Sequence, residues 1–158
     1  MSIRNKVLQA TGAVVVGLAL SIAQYHEGLV TKAAPDPVGI PTVCFGHTEG
    51  VKLGMELSEQ ECLVILGQDM DIAFASVDRL VKVPMTYERR QALADFVFNA
   101  GQGNFAKSTL LKKLNAGDTW GACAELSKWV YAGGKKLAGL VKRRAVERKY
   151  CEMGLLQN

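Results

Sequence analysis

Hydrophobic residues from position 62 onward recur at the three- and four-residue spacing of α-helices. Residues 58–61 (Ser-Glu-Gln-Glu) have the pattern of a capping box, which marks the start of a helix. The apolar stripe that follows continues to about Val81, and Pro84 prevents the helix from extending further. The pattern therefore predicts one long helix over residues 59–81.

Four shorter helices are predicted after it, because the first three apolar stripes begin at residues that can cap a helix and the first two end at glycine or asparagine. The last of the four is rich in lysine and arginine. The first is predicted from about Thr86 until Gly101 and Gly103 end it, and the second from Ser108 or Thr109 to Asn115–Gly117. The third is predicted from Asp118 or Thr119 through Cys123 to Trp129, and the fourth from Leu137 to Met153.

The region before the long helix has a different pattern. Residues 28–54 are rich in glycine and proline and contain short apolar and β-branched runs at 38–40 and 42–45. Such runs between turn residues predict a small hairpin-type sheet. The fold class is therefore α+β with helices dominant. With 158 residues, 49% of them hydrophobic, the chain can bury a core and is not intrinsically disordered.

The N-terminal segment is unusual because residues 7–25 contain no charged side chain, whereas Arg4 and Lys6 precede them. Three interpretations are open. The segment can be an ordinary buried helix, a signal peptide cleaved after residues 21–23 (Ser-Ile-Ala), or an uncleaved signal anchor with the body outside the cytoplasm. Many small and some polar residues make it only weakly apolar, so insertion in a bilayer is expected to be marginal.

Net charge and cysteine content narrow the class of protein. The formal charge of +4 favours an anionic partner but lacks the dense basic stripes of a nucleic-acid-binding protein. Four cysteines suit an exported chain with two disulfides, and without a CxxC pair a zinc or redox site is not indicated. Four free, buried thiols are the alternative, and three disulfide connectivities are open. The cysteines are Cys44, Cys62, Cys123 and Cys151.

Three polar residues near the start of the predicted sheet suggest hydrolytic chemistry. Glu27 precedes Gly28, a residue typical of helix ends, and the negative end of a helix dipole favours the protonated form of a carboxyl group. Such a group can donate a proton to a leaving oxygen. Asp36 lies between two prolines on stiff backbone, and Thr42 carries a hydroxyl. A fixed carboxylate and a hydroxyl can position a water or attack a sugar, as in glycoside hydrolysis.

The spacing Glu27, eight residues, Asp36, five residues, Thr42 resembles the signature of glycoside hydrolase family 24, the T-even-type phage lysozymes. The similarity extends over nearly all of residues 25–153. It includes residues 42–48 (TVCFGHT), 96–101 (FVFNAG), 103–105 (GNF), 108–111 (STLL) and 129–144. Together with the uncharged N-terminal segment, it is similar to the signal-arrest-release subgroup. One departure is Ala34, where relatives usually carry tyrosine two residues before the aspartate.

The resemblance implies a two-lobed phage-lysozyme fold with a small antiparallel sheet in the N-terminal lobe and a helical C-terminal lobe. Residues 1–25 would be the signal-anchor segment and residues 26–158 the catalytic domain. Within that domain the N-terminal lobe would cover about 26–65, the linking helix about 59–81 and the C-terminal lobe about 82–158.

The resemblance also implies roles for individual residues. Glu27, Asp36 and Thr42 would be catalytic, and Asn99 would line the saccharide cleft. His47 is expected to be structural and to pair with Asp69 on the long helix. Cys44 would bond to Cys62 and Cys123 to Cys151, since each pair then joins segments of one lobe. No metal and no cofactor are expected.

The activity implied is that of a monomeric endolysin with muramidase activity. It would hydrolyse the β-1,4 bond between N-acetylmuramic acid and N-acetylglucosamine in peptidoglycan, lysing the host cell. The enzyme would be inactive while tethered to the inner membrane by residues 7–25, with its body in the periplasm, and active after release there. A secreted lysozyme with a cleaved signal peptide and an inactive wall-binding lysis regulator are the alternatives. A nucleic-acid-binding module is disfavoured.

Two groups of residues have simpler structural interpretations. Trp120 and Trp129 are expected in the core rather than as platforms that stack on sugars. The cations of the last predicted helix and the segment before it are expected to form a solvated face that also favours anionic wall polymers. These cations are Lys135, Lys136, Lys142, Arg143, Arg144, Arg148 and Lys149.

Overall fold

The computed structural model describes residues 28–153, so the predicted anchor segment and Glu27 lie outside the described residues. The chain forms two compact units that meet in sequence between Asp69 and Met70. This boundary falls within the long helix. No helix in the described part of the chain is both long and apolar enough to cross a membrane.

The first unit contains the predicted hairpin. Strand β1 (Val30–Pro35) pairs antiparallel with β2 (Pro41–Cys44), with Ala34 opposite Thr42. The other edge of β1 bonds to the segment before the long helix, where the Ala33 N–H donates to the Met55 carbonyl at 2.8 Å. Because β1 is bonded on both sides, the hairpin is held by more than its own turn.

Helix α1 (Glu59–Leu80) follows the hairpin and begins at the predicted capping box. The Ser58 N–H donates to Glu61 Oε2 at 2.8 Å, and the Glu61 N–H donates to Ser58 Oγ at 3.2 Å. Two N–H groups at the start of the helix are thereby satisfied reciprocally. The Cys44–Cys62 disulfide joins the end of β2 to the first turns of α1, with the Cα atoms 4.9 Å apart.

The second unit contains the remaining elements, and the capping residues predicted for three of its helices are confirmed. The side chains of Thr86, Ser108 and Asp118 accept hydrogen bonds from backbone N–H groups of the first turns that follow them. The elements are α2 (Tyr87–Ala100), α3 (Gln102–Lys107), α4 (Thr109–Asn115), α5 (Thr119–Glu125), a 3₁₀ turn (Leu126–Lys128), β3 (Tyr131–Ala132), β4 (Lys135–Lys136) and α6 (Ala138–Glu152).

Aromatic and aliphatic side chains from these helices form the core of the second unit. Phe96 of α2 makes edge contacts with Phe105 of α3 and with Trp129, at centroid distances of 6.2 and 5.2 Å. The Cys123–Cys151 disulfide joins α5 to α6, with the Cα atoms 5.7 Å apart. Both disulfides thus have the pairing implied by the resemblance, each within one unit.

Several details differ from the sequence-based expectations. Gly103 does not end α2, because Gly101 does so with φ of 90° and Gly103 then lies inside α3. The helix of residues 119–125 is shorter than predicted, and the β3–β4 hairpin after it was not anticipated. Trp120 is 49% exposed, so its expected place in the core is wrong.

We expect loss of the Cys123–Cys151 bond to destabilise the protein, because the cross-link closes a loop of 28 residues. The double substitution C123S/C151S should lower the free energy of unfolding by roughly 3–4 kcal/mol. Urea denaturation at neutral pH measures this change. The parent protein without reductant is the reference, since a reductant would also open the Cys44–Cys62 bond. An unchanged midpoint in the double variant would contradict the expectation.

Candidate active site

Asp36 is held at the end of the β1–β2 hairpin by two backbone donors. The Val38 and Ile40 N–H groups donate to its Oδ1 at 2.9 and 2.8 Å, and its own N–H donates to the Ile40 carbonyl at 2.9 Å. Both of these bonds end on Oδ1, so Oδ2 is left to accept hydrogen bonds from other donors. The Asp36 carboxylate therefore has a fixed orientation and only partial burial.

Thr42 lies on β2 and is also partly buried. Its Oγ1 donates to the Ile40 carbonyl at 3.0 Å. A hydroxyl has one hydrogen to donate and two lone pairs that accept. Because the hydrogen is used within the hairpin, Thr42 can act on a bound water only as an acceptor.

Ala34, the departure from the usual tyrosine, is the residue opposite Thr42 in the hairpin. The side chain there is a methyl group on an exposed strand position. The loop that carries Asp36 is nevertheless closed by the backbone bonds described above. The geometry of the Asp36 carboxylate in this chain therefore does not depend on a large side chain at position 34.

Two contacts fasten the hairpin to α1. One is the Cys44–Cys62 disulfide. The other is His47, whose Nδ1 lies 2.7 Å from Asp69 Oδ2 and whose Nε2 lies 3.0 Å from the Glu49 carbonyl. The expected partner of His47 is thus present. Cys62 and Asp69 are two helical turns apart, so both contacts fall along one side of α1.

The ion pair changes the titration of His47. The hydrogen bond to the Asp69 carboxylate raises the pKa of His47 above its usual 6.5, and partial burial opposes this effect. When the imidazole is protonated, both ring nitrogens can donate, to Asp69 and to the Glu49 carbonyl. The hairpin is therefore fastened most strongly at a pH where His47 carries a charge.

Asn99, the expected saccharide contact, lies in the second unit near the end of α2. Arg144 of α6 donates from Nη2 to Asn99 Oδ1, from Nε to the Trp129 carbonyl at 3.0 Å, and from Nη1 to Glu147 Oε1 at 2.5 Å. Its guanidinium also lies 4.8 Å from the centroid of the Phe96 ring. Asn99 is thus oriented by Arg144, whose own position is fixed by its other three contacts.

Arg144 belongs to a buried charge network with Asp95, Arg143 and Glu147. Arg143 makes a bidentate contact to Asp95, with Nη2–Oδ1 and Nε–Oδ2 distances of 2.8 and 3.1 Å, and it lies 3.3 Å from Glu147 Oε1. Burial raises the pKa of Glu147 well above its usual value, while Arg144 opposes the shift. The expected solvated face is therefore wrong for Arg143 and Arg144, which are 2% exposed.

The network was missed because its pairs are distant in sequence, with Asp95 and Arg143 separated by 48 residues. One signal was available. Asp95 is the one polar residue within residues 92–97, whose other five members are hydrophobic. A carboxylate in such a run is buried, and a buried charge needs a partner. The two adjacent arginines of α6 are that partner.

A metal centre is not indicated by the arrangement of residues 28–153, where no cluster of three or more His, Cys, Asp or Glu side chains could hold an ion. The predicted catalytic residues and the predicted saccharide contact, Asn99, are distributed over the chain as follows. Asp36 and Thr42 lie together on the hairpin of the first unit, Asn99 lies in the second unit, and Glu27 precedes the described residues.

Comparison with known proteins identifies the family. The phage lysozyme family model matches residues 24–147. A SAR-endolysin of Bacteriophage PS119 is 40% identical over 160 residues, covering 97% of this chain and 96% of the relative. A SAR-endolysin of Escherichia phage Mu is 50% identical over 113 residues, covering 71% and 66% respectively. The chain belongs to the phage lysozyme family.

Solved structures support the same assignment. An endolysin from Escherichia coli O157:H7 phage FAHEc1 has a TM-score of 0.76 at 30% identity, over 89% of this chain and 94% of its own. The expected α+β, mostly helical phage-lysozyme fold is thereby confirmed. Family and fold together define a glycoside hydrolase of the lysozyme class.

We expect the His47–Asp69 pair to make stability depend on pH. Because the folded-state pKa of His47 is raised, its contribution is fully present below the unfolded value of about 6.5 and is lost as pH rises through the folded value. Asp69→Asn should bring the His47 pKa down and flatten this dependence. Titration of the His47 ring by NMR, with urea denaturation at each pH, measures both effects.

The matched control for this experiment is Asp71→Asn, which neutralises an exposed aspartate two residues further along α1. It should leave the His47 titration unchanged. A parent protein in which His47 titrates at or below 6.5 would show that the ion pair does not form in solution.

Proposed function

We propose that this protein is a muramidase that hydrolyses the β-1,4 bond between N-acetylmuramic acid and N-acetylglucosamine in bacterial peptidoglycan. The observation that carries the proposal is the fixed carboxylate of Asp36, held by the Val38 and Ile40 N–H groups, in a chain of the phage lysozyme family. No cofactor is needed for this reaction, since two carboxyl groups and a water supply the chemistry.

In the proposed mechanism Asp36 and Thr42 prepare the attacking water. The hydroxyl hydrogen of Thr42 is engaged by the Ile40 carbonyl, so a water between the two side chains donates one hydrogen to Thr42 Oγ1 and the other to Asp36 Oδ2. Its lone pair is then directed at the anomeric carbon of the sugar. Asp36 accepts the water's proton as the new C–O bond forms.

Glu27 is proposed as the general acid. It protonates the glycosidic oxygen as the bond to the leaving sugar breaks, so that no alkoxide is released. With a water placed between the two carboxyl groups the configuration at the anomeric carbon inverts, and such sites keep those groups about 6.5–9.5 Å apart. Asn99, oriented by Arg144, would bind the saccharide.

We expect Glu27→Gln to lower turnover of purified peptidoglycan by about 10²–10⁴-fold or more, because an amide cannot donate the proton. Asp36→Asn should have a comparable effect. Its amide oxygen can still accept from the Val38 and Ile40 N–H groups, so the hairpin should fold normally. Release of reducing sugar ends, together with thermal unfolding of each variant, measures both properties.

The matched controls are Glu59→Gln and Asp71→Asn, which make the same chemical changes at exposed positions and should retain full activity. Substantial turnover by Glu27→Gln would remove Glu27 from the role of acid. A folded parent protein that binds peptidoglycan without cleaving it would favour a wall-binding lysis regulator instead.

Thr42 tests the water-positioning step by itself. Thr42→Ser keeps the hydroxyl and should remain active, whereas Thr42→Ala and the isosteric Thr42→Val should lose about tenfold in kcat, the effect of one lost hydrogen bond. Equal activity in the serine and valine variants would contradict this role. The KM for peptidoglycan should change little in any of the three, because the hydroxyl contacts water rather than the sugar.

We propose further that residues 7–25 tether the enzyme to the inner membrane with its body in the periplasm, and that release from the bilayer activates it. Two observations support this proposal. The relatives from phages PS119 and Mu are named SAR-endolysins, and the segment is uncharged, weakly apolar and preceded by Arg4 and Lys6. Since Glu27 is two residues beyond Tyr25, the tether would hold the general acid at the bilayer surface, away from its working position.

We expect G12L/G17L to delay lysis of expressing cells, because each leucine adds a few tenths of a kcal/mol or more to the free energy of insertion. G12S/G17S, which adds no apolar surface, is the matched control. Intact masses of the membrane and soluble fractions, followed over time, measure release. Equal release of the leucine variant and the parent, or a soluble form that starts at Gln24, would favour a secreted lysozyme with a cleaved signal peptide.

A further inference from the structure

The β3–β4 hairpin and the start of α6 form a continuous exposed surface in the second unit, which we call the hairpin patch. Every residue from 131 to 139 is exposed. It contains three large hydrophobic side chains that are exposed to solvent. Their exposed fractions are 63% for Tyr131, 42% for Leu137 and 39% for Val141. The patch consists of Tyr131, Lys135, Lys136, Leu137, Val141 and Lys142.

The hairpin and the helix that follows it hold these six residues within a segment of twelve. Tyr131 is paired with Lys136 across the hairpin and Ala132 with Lys135, so Tyr131 and Lys136 share one face of the hairpin and Lys135 extends from the other. The Leu137 N–H donates to the Val130 carbonyl at 2.9 Å, which fixes the start of α6 against the end of the hairpin. Leu137 is the N-cap residue of α6, and Val141 is exposed within the first turns of that helix. The patch is therefore held by secondary structure and not by a loose loop.

The patch offers positive charge and apolar surface but no carboxylate or amide side chain. Residues 131–142 contain three lysines and no aspartate, glutamate, asparagine or glutamine. In the described part of the chain none of these lysines forms an ion pair. The side chains thus offer cations, aliphatic surface and one phenol, and the Tyr131 hydroxyl is their one potential acceptor. A partner with negative charge beside apolar surface is the complement of such a patch.

We propose that the hairpin patch binds the surface of an anionic phospholipid bilayer. Lysines are attracted to acidic headgroups, tyrosine is favoured at the level of the headgroups, and Leu137 and Val141 can enter the acyl boundary. A neutral saccharide fits less well, because it has no negative charge for the three lysines to attract. The contact is distinct from the N-terminal segment and does not depend on the proposed catalytic mechanism.

Vesicle sedimentation tests the proposal with the full-length protein. Binding is measured on phosphatidylcholine vesicles and on vesicles that also contain phosphatidylglycerol, since the difference isolates the anionic contribution from that of residues 7–25. K135Q/K136Q/K142Q should weaken binding to the anionic vesicles by about 100-fold, because each lysine near such a surface contributes roughly a factor of five. Binding to the neutral vesicles should not change.

The matched control is K82Q/K107Q/K112Q, which removes the same charge from exposed lysines of the same unit. It should retain most of the anionic binding. The apolar component is tested by Y131S/L137S, which should also bind less, and the serine at position 137 is a good N-cap for α6. Circular dichroism and unchanged hydrolysis of soluble peptidoglycan fragments show that each variant is folded.

Two outcomes would overturn the proposal. The first is equal loss of anionic binding in the control and in K135Q/K136Q/K142Q, which would mean that only net charge matters. The second is unchanged vesicle binding by K135Q/K136Q/K142Q. If that variant also binds insoluble peptidoglycan or nucleic acid more weakly than the parent, the patch is assigned to that polymer instead.

Discussion

Four ionisable side chains with almost no access to water join α2 to α6, and the arrangement of the second unit depends on the hydrogen bonds and ion pairs among them. Asp95 and Glu147 are fully buried, and Arg143 and Arg144 nearly so. Removing one member of such a group leaves a charge without a partner in a medium of low polarity, which typically costs 3–5 kcal/mol. The helices cannot slide or rotate against each other without breaking these pairs. Asn99 lies one turn after Asp95 on α2. It consequently accepts a hydrogen bond from Arg144, the residue after Arg143 on α6.

In the first unit the hairpin is held in place by a disulfide and an ion pair, because it is too small to bury a large core. Cys44 has φ of 61°, and the chain turns sharply after it so that Val43 and His47 bond to each other. The residues on either side of this turn then contact α1, through a disulfide at Cys62 and an ion pair at Asp69. The strand that carries Thr42 is thereby fixed to a long helix, and the backbone of the turn fixes Asp36.

How much of this could be predicted from sequence depends on how local each feature is. The capping box at residues 58–61 and the caps at Thr86 and Ser108 are set by neighbours within three residues, and the structure has them. The β3–β4 hairpin also has a local signal, since Gly133 and Gly134 both have positive φ, as the commonest two-residue hairpin turns require. Strands of two residues are too short for hydrophobic periodicity to reveal.

The residues of the proposed site and of the charge network behind Asn99 divide in the same way. Asp36 and Thr42 could be selected from a spacing that resembles the family signature, because a signature is read along the chain. The burial of Arg143 and Arg144 could not, since periodicity on a basic helix assigns every cation to solvent, and only packing against Asp95 and Glu147 makes burial tolerable. On α6 the buried arginines, Arg143 and Arg144, are paired with carboxyl groups, whereas Lys142 and Lys149 are exposed.

This division on α6 bears on the two membrane contacts proposed above. Lys142 is exposed and Arg143 is buried although they are adjacent, so the helix contributes one cation to the surface and its neighbour to the core. Binding through exposed lysines is screened by salt over about 8 Å at physiological ionic strength, whereas insertion of an apolar segment is not. A protein that leaves the bilayer by withdrawing residues 7–25 would therefore exchange an anchor insensitive to salt for a weaker contact that rises and falls with ionic strength and lipid charge. Under the two proposals the first contact would hold the enzyme in place, and the second would allow it to dissociate and reach its substrate.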